Sequence, residues 1–127
     1  MIAVLRCKTD VKFTRIRPGG FRLLSALERT ARTMGHDLTI TSGAEAHAAT
    51  NPHTRGEAYD VRTHDLTPEQ KVQLLVLTMS DLKDDASEVI QEVSGGLATA
   101  RFFGFLEAAD TPNEHAHFQR RRGRTYP

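Results

Sequence analysis

Apolar residues recur at helical spacing in the segment that follows Pro18-Gly19-Gly20. The apolar positions are Phe21, Leu24, Leu27, Ala31 and Met34. Gly35 comes next and is a typical residue at a helix end. This pattern predicts a helix over about 20–34, preceded by a turn at the Pro-Gly-Gly sequence.

A second helix is predicted from its start signal, Thr67-Pro68-Glu69-Gln70. Threonine is a good N-cap, proline suits the first helical position, and a glutamine three residues after the cap can complete a capping box. We expect this helix to run to about residue 82. Residues 84–95 fit neither a helix nor a strand clearly.

Short β-branched or alternating segments predict strands, and one long segment without periodicity predicts a loop. The expected strands are 2–5, 38–41, 58–63, 98–106 and 115–119. The loop covers 43–55, which is rich in Gly, Ala, Thr, Asn and Pro. Side chains two apart on a strand share a face, so Asp60 would point with Arg62, and His115 with His117.

Composition indicates one ordinary globular domain of 127 residues, with 39% hydrophobic and 26% charged residues. The net charge of +1 does not call for a nucleic-acid partner. Cys7 is the single cysteine, which excludes an intrachain disulfide and a thiolate zinc cluster. The basic run 120–124 is interpreted as the start of a solvated tail, 120–127; the alternative is a patch that holds the protein near an anionic polymer.

Neither a signal peptide nor a transmembrane segment is recognisable in the sequence. The apolar run near Met1 is short and has no basic residue before it, and no segment approaches transmembrane length. We therefore expect synthesis in the cytoplasm and no membrane partner. If the protein acts outside the cell, it must be released by a route that does not use a signal peptide.

His53, Asp60 and His117 are the most informative residues, because two imidazoles and one carboxylate leave a fourth position on Zn²⁺ open for water. The predicted loop would bring His53, with Gly56 supplying the backbone freedom for its return. Glu114 could take a proton from the water as it attacks a carbonyl. His115 could donate to the developing oxyanion. Each residue alone is weak evidence, and the conjunction of the four residue types carries the hypothesis.

These residues resemble the zinc peptidases of family M15. The resemblance rests on His53-xx-Gly56-x-Ala58-x-Asp60 and Glu114-xx-His117, with support from Thr39-Ile40-Thr41-Ser42-Gly43. That family includes D-alanyl-D-alanine carboxypeptidases, the D-Ala-D-Ala dipeptidases of vancomycin resistance, and phage endolysins that cleave L-alanyl-D-glutamate. The Hedgehog signalling domain has the same fold.

The resemblance implies an α+β fold in which helices pack on a small antiparallel sheet and zinc lies in a cleft on the other face. It implies one domain over 1–127, with its core at about 20–119, and one zinc ion held by His53, Asp60 and His117. Glu114 matches the catalytic base and His115 the histidine beside the last ligand. The expected substrate is a peptidoglycan stem peptide. The protein is expected to be a monomer of the phage or prophage endolysin type that acts on the cell wall after release or is associated with a virion.

The chain departs from the family after the Ser42-Gly43 turn, where many members carry an arginine that binds the substrate carboxylate. Here Arg62 is the first substitute and Arg55 a weaker one, with Ser42 also expected at the substrate. This departure favours an endopeptidase slightly over a carboxypeptidase. Glu107 and Asp110 are rivals to Glu114 as the base. The alternative functions are a non-catalytic zinc-binding module that docks a protein partner and, with support only from the tail, a nucleic-acid-associated protein.

Overall fold

The structure is a computed structural model that describes residues 2–13, 15–43 and 56–121. These residues form two helices and seven strands. The helices are α1 (Pro18–Met34) and α2 (Pro68–Asp81). The strands are β1 (Leu5–Cys7), β2 (Leu38–Ser42), β3 (Ala58–Arg62), β4 (Gln91–Val93), β5 (Gly96–Ala98), β6 (Phe102–Glu107) and β7 (His115–Arg120).

The strands form one sheet in the order β1-β2-β3-β7-β6-β5-β4. β1 and β2 are parallel because α1 crosses between them, and the other neighbours are antiparallel. The predicted α+β class is therefore confirmed, while the sheet is mixed rather than purely antiparallel. β3 and β7, which carry the candidate ligands Asp60 and His117, are neighbours near the middle of the sheet.

The first helix begins at Pro18, so the predicted Pro-Gly-Gly turn is wrong. Pro18 occupies the first turn of the helix, where its missing N–H costs nothing. Gly20 is required for close packing, because a Cβ there would clash with the carbonyl oxygen of Gly56. The end of the helix agrees with the prediction: Gly35 adopts φ +67° and caps it.

The second helix has the predicted capping box. The Gln70 N–H donates to Thr67 Oγ1 at 3.1 Å, and the Thr67 N–H donates to Gln70 Oε1 at 2.9 Å. Its last residue, Asp81, accepts hydrogen bonds from Arg22 and Arg29 and so joins the two helices. Neither helix is long and apolar enough to cross a membrane, in the part of the chain described.

Two strand predictions differ from the structure by more than one residue, and one strand lies where none was predicted. β1 begins at Leu5 rather than at residue 2, and β4 lies in the region that fitted neither pattern. The single strand expected over 98–106 is a hairpin of β5 and β6, because the Thr99 N–H bonds the Phe102 carbonyl at 2.9 Å and closes a turn. Arg120 is the last residue of β7, so the expected tail begins inside the sheet. The rest of the tail, 122–127, lies outside the described residues.

The two faces of the sheet have different characters. Both helices pack on one face, where Tyr59, Val61, Ala116 and Phe118 are fully or almost fully buried in the core. The alternate side chains of β3 and β7 point away from the helices. We call that second surface the polar face; it carries Asp60, Arg62, His115, His117 and Gln119.

Candidate functional site

The register of β3 and β7 brings the candidate ligands together on the polar face. Asp60 lies directly across from His117, and Arg62 lies across from His115. Cross-strand partners in an antiparallel pair share a face with their Cβ atoms about 4.5–5.5 Å apart. The register therefore places Asp60 and His117 on a common face.

His117 is held by three neighbours. Its Nδ1–H donates to Asp60 Oδ1 at 2.8 Å, and its Nε2 lies 2.7 Å from Gln119 Oε1. The ring also packs against Phe105, with centroids 5.1 Å apart. Burial lowers the pKa of His117, but the hydrogen bonds with Asp60 and Gln119 raise it by more, so the pKa lies above its usual value. A metal ion would have to displace the proton that His117 shares with Asp60.

His115 stands between carboxylates of the two flanking strands. Its Nε2 lies 3.6 Å from Asp60 Oδ2 and 3.4 Å from Glu107 Oε1. Its Nδ1 lies 2.9 Å from the carbonyl of Asn113, and since a carbonyl only accepts, Nδ1 carries a proton. His115 can therefore donate from Nε2 to an oxyanion only when the ring holds its second proton.

Ser42 reaches the polar face through an irregularity in β2. Ile40 pairs with Val61 on the core side, yet Ser42, two residues later, pairs with Asp60. The extra residue between these pairs is a β-bulge, which turns the following side chain to the other face of the sheet. Strict alternation along β2 would have placed Ser42 with the core, so the sequence pattern did not reveal this arrangement.

Two of the expected site residues, His53 and Arg55, lie outside the described residues. Arg62 is on the polar face beside Asp60 and across from His115. Gly56, the glycine expected to permit the chain to turn after His53, has φ +72°, and a Cβ there would clash with the Arg15 carbonyl oxygen. Its conformation therefore requires glycine.

Glu114, the expected base, does not face Asp60 or His117. Its carboxylate accepts from Thr63 Oγ1 at 2.7 Å and pairs with Lys71 Nζ of α2 at 2.6 Å, which places it on the helix side of the sheet. The Asp110 N–H also donates to it, at 3.0 Å. This backbone hydrogen bond, together with those from Lys71 and Thr63, lowers the pKa of Glu114 to about 2.

Glu107, unlike Glu114, lies on the polar face. It lies directly across from His115 on β6, with its carboxylate against the imidazole. Phe105 shares this face and packs on His117. The sequence named Glu107 as a rival base, but the register that sets it beside His115 depends on the β6–β7 hairpin.

The donor atoms of Asp60 and His117 suit a metal site. Two ligands on a tetrahedral zinc at normal bond lengths stand about 3.3 Å apart, so the 2.8 Å pair would open by about half an ångström. Among residues 2–13, 15–43 and 56–121, no three His, Cys, Asp or Glu side chains form a group that could hold a metal ion. The expected third ligand, His53, is outside those ranges.

No family model matches the chain, and comparisons with curated proteins and with solved structures also find no match. The resemblance to the zinc peptidases therefore rests on the motif residues. The positions of Asp60, His115 and His117 in the structure are an observation independent of the motifs that bears on this resemblance.

Proposed function

We propose that this protein is a zinc-dependent peptidase of the M15 type that hydrolyses peptidoglycan stem peptides. The observation that best supports the proposal is the direct cross-strand pairing of Asp60 with His117, with His115 next to them on the same face. A carboxylate and an imidazole in contact on a rigid pair of strands form two thirds of a His₂Asp zinc set. His53 would complete it.

Several side chains of the protein would contribute to peptide hydrolysis. When bound, zinc would polarise the substrate carbonyl and lower the pKa of a water molecule. Gln119 and Phe105 would hold the His117 ring in a fixed orientation. His115 in its doubly protonated form would donate a hydrogen bond where negative charge develops on the substrate oxygen.

Arg62 would bind a carboxylate of the substrate. It lies on the polar face, where Ser42 of β2 is the cross-strand partner of Asp60. An L-Ala-D-Glu endopeptidase and a D,D-carboxypeptidase both act on substrates with a carboxylate near the scissile bond. We favour the endopeptidase, because the arginine that many carboxypeptidases carry after the Ser-Gly turn is absent here.

The test is mass analysis of muropeptides from purified peptidoglycan after incubation with zinc-loaded protein. We expect new fragments whose masses identify the bond. His117→Ala should produce none and should hold less than one zinc per chain. His64→Ala is the matched control, because His64 is exposed and outside the site, and it should act like the wild type. If the wild type with one bound zinc cuts no peptide bond, the proposal is wrong.

A second candidate is a zinc-binding module without hydrolytic activity that docks a protein partner over the polar face. The observation in its favour is that Glu114, the motif's expected base, is bound to Lys71 and Thr63 on the helix side. This candidate predicts stoichiometric zinc with no turnover. The muropeptide assay therefore separates the two.

A further inference from the structure

Three side chains on three adjacent strands of the polar face lie next to one another, and we call them the row: Asp60 on β3, His115 on β7 and Glu107 on β6. Glu107 is directly across from His115, whose partner on β3 is Arg62, and Asp60 is diagonal to His115. The His115 Nε2 is 3.6 Å from the Asp60 carboxylate and 3.4 Å from the Glu107 carboxylate. The His115 imidazole therefore lies between the Glu107 carboxylate and Asp60, a candidate metal ligand.

Access to solvent differs along this row and favours Glu107 for proton exchange. The Glu107 side chain is 51% exposed, compared with 23% for His115 and 14% for Asp60. Glu107 thus lies at the open end of the row, where substrate and water can reach it. Its neighbour Phe105 covers His117 from the same strand and shields the inner end.

Glu114 has the opposite properties. Its side chain is 7% exposed, and its two oxygens are occupied by Lys71, Thr63 and the Asp110 N–H. A carboxylate bound this firmly is a weak base near neutral pH, because proton transfer is most effective when the pKa lies near the working pH. It also faces the helices, with the sheet between it and Asp60.

We propose that Glu107, rather than Glu114, is the carboxylate that transfers protons during hydrolysis; this inference rests on the function proposed above. A water oxygen forms a bond to the substrate carbonyl carbon, and one water proton moves to the Glu107 carboxylate. The C–N bond then breaks, and Glu107 returns that proton to the leaving nitrogen. The products are a carboxylic acid and an amine, and Glu107 ends as it began.

Glu114 then has a structural role. Its bonds to Lys71 and Thr63 fix the start of β7 against α2 and β3, and its bond to the Asp110 N–H fixes the turn between β6 and β7. Both strands of that hairpin carry the row, with Glu107 at the end of one and His115 at the start of the other. Loss of Glu114 should therefore affect stability first.

The kinetic test compares Glu107→Gln with Glu114→Gln on a muropeptide that the wild type cuts. Glu107→Gln should lower kcat by about 100-fold or more with little change in KM, as the loss of a general base does. Glu107→Asp, which keeps the carboxylate, should recover part of that loss. Glu114→Gln should keep most of its kcat. A Glu107→Gln variant that stays fully active would overturn the inference.

Two further measurements do not depend on activity. Glu107→Gln should bind one zinc per chain and unfold, without metal, at the wild-type temperature. Glu114→Gln should unfold about 10 °C lower, because it loses a buried charge network. If Glu114→Gln does not fold, Lys71→Met tests the same network from the other side and should lower the unfolding temperature without lowering kcat.

The outcomes separate this inference from the proposed function. If wild-type protein cuts no muropeptide, both are wrong. If the wild type is active and Glu114→Gln alone abolishes turnover at an unchanged unfolding temperature, the peptidase stands and Glu107 is not its base. Loss of zinc from Glu107→Gln would also contradict the inference, since Glu107 would then be holding metal.

Discussion

The Glu114 network should make the protein sensitive to acid, and the size of the effect follows from its contacts. The carboxylate lies against Lys71 Nζ at 2.6 Å and Thr63 Oγ1 at 2.7 Å and is almost fully buried. Replacing it by glutamine keeps the shape and removes the charge. Lys71 then faces a neutral group on the helix side of the sheet.

The pKa of Glu114 falls from 4.5 to about 2, mainly through the hydrogen bonds from the Asp110 N–H, Lys71 and Thr63. Each pKa unit corresponds to about 1.4 kcal/mol, so the ionised network contributes about 3 kcal/mol at neutral pH. Because the folded-state pKa is depressed, this stability is complete above the unfolded-state pKa. It declines as pH falls from about 5 toward 2, and about 1.5 kcal/mol is left at pH 3.

Urea unfolding of wild type and Glu114→Gln at pH 7, 5, 4 and 3 measures the stability that the ionised Glu114 network contributes. We expect Glu114→Gln to be less stable by about 3 kcal/mol at pH 7 and the difference to be halved by pH 3. Glu88→Gln is the matched control, because Glu88 also accepts two backbone N–H bonds but, among the described residues, lacks the lysine contact that Glu114 has. A difference that stays constant from pH 7 to pH 3 would refute the ionised network.

Three other predictions concern the metal and the packing. His117→Ala should abolish the rise in unfolding temperature that zinc gives the wild type; a full rise in the variant, in a thermal melt with and without zinc, would exclude His117 as a ligand. Asp81→Asn should cost about 0.5–1 kcal/mol in urea unfolding, because Arg29 loses its carboxylate partner; an unchanged midpoint would contradict this. Gly20→Ala should destabilise the fold although alanine favours helices, because its Cβ meets the Gly56 carbonyl; a higher melting temperature would count against that contact.

The helices and the central strands could be predicted because their signals are local. The spacing of apolar residues and the glycine cap defined α1 to within two residues at its start, and the Thr67 capping box defined the start of α2. The Pro18 turn was predicted wrongly, because proline and two glycines signal a turn in most contexts. Here Gly20 serves a contact with Gly56, 36 positions away in the numbering, and no local pattern carries that information.

The part of the site that depends only on alternation along a strand could be predicted from the sequence. Alternation placed Asp60 with Arg62 and His115 with His117, and the register of β3 and β7 brings these two pairs to one face. The position of Ser42 depends on a bulge in β2, and that of Glu107 depends on a hairpin turn at Thr99 that splits one expected strand into two. Both are decided by pairing with another strand rather than by the local sequence.

The spacing of Glu114 and His117 limits how both side chains could reach one metal ion. Side chains on an extended strand alternate, so residues three apart point to opposite faces. A Glu-x-x-His motif can place both groups at one metal only if the backbone bends between them. Here Glu114 lies at the end of the turn that precedes β7, with its N–H bonded to the Thr111 carbonyl, and Thr63 and Lys71 bind its carboxylate on the core side. Glu107 on β6 lies on the face that carries His117, and this position is why we propose it as the base.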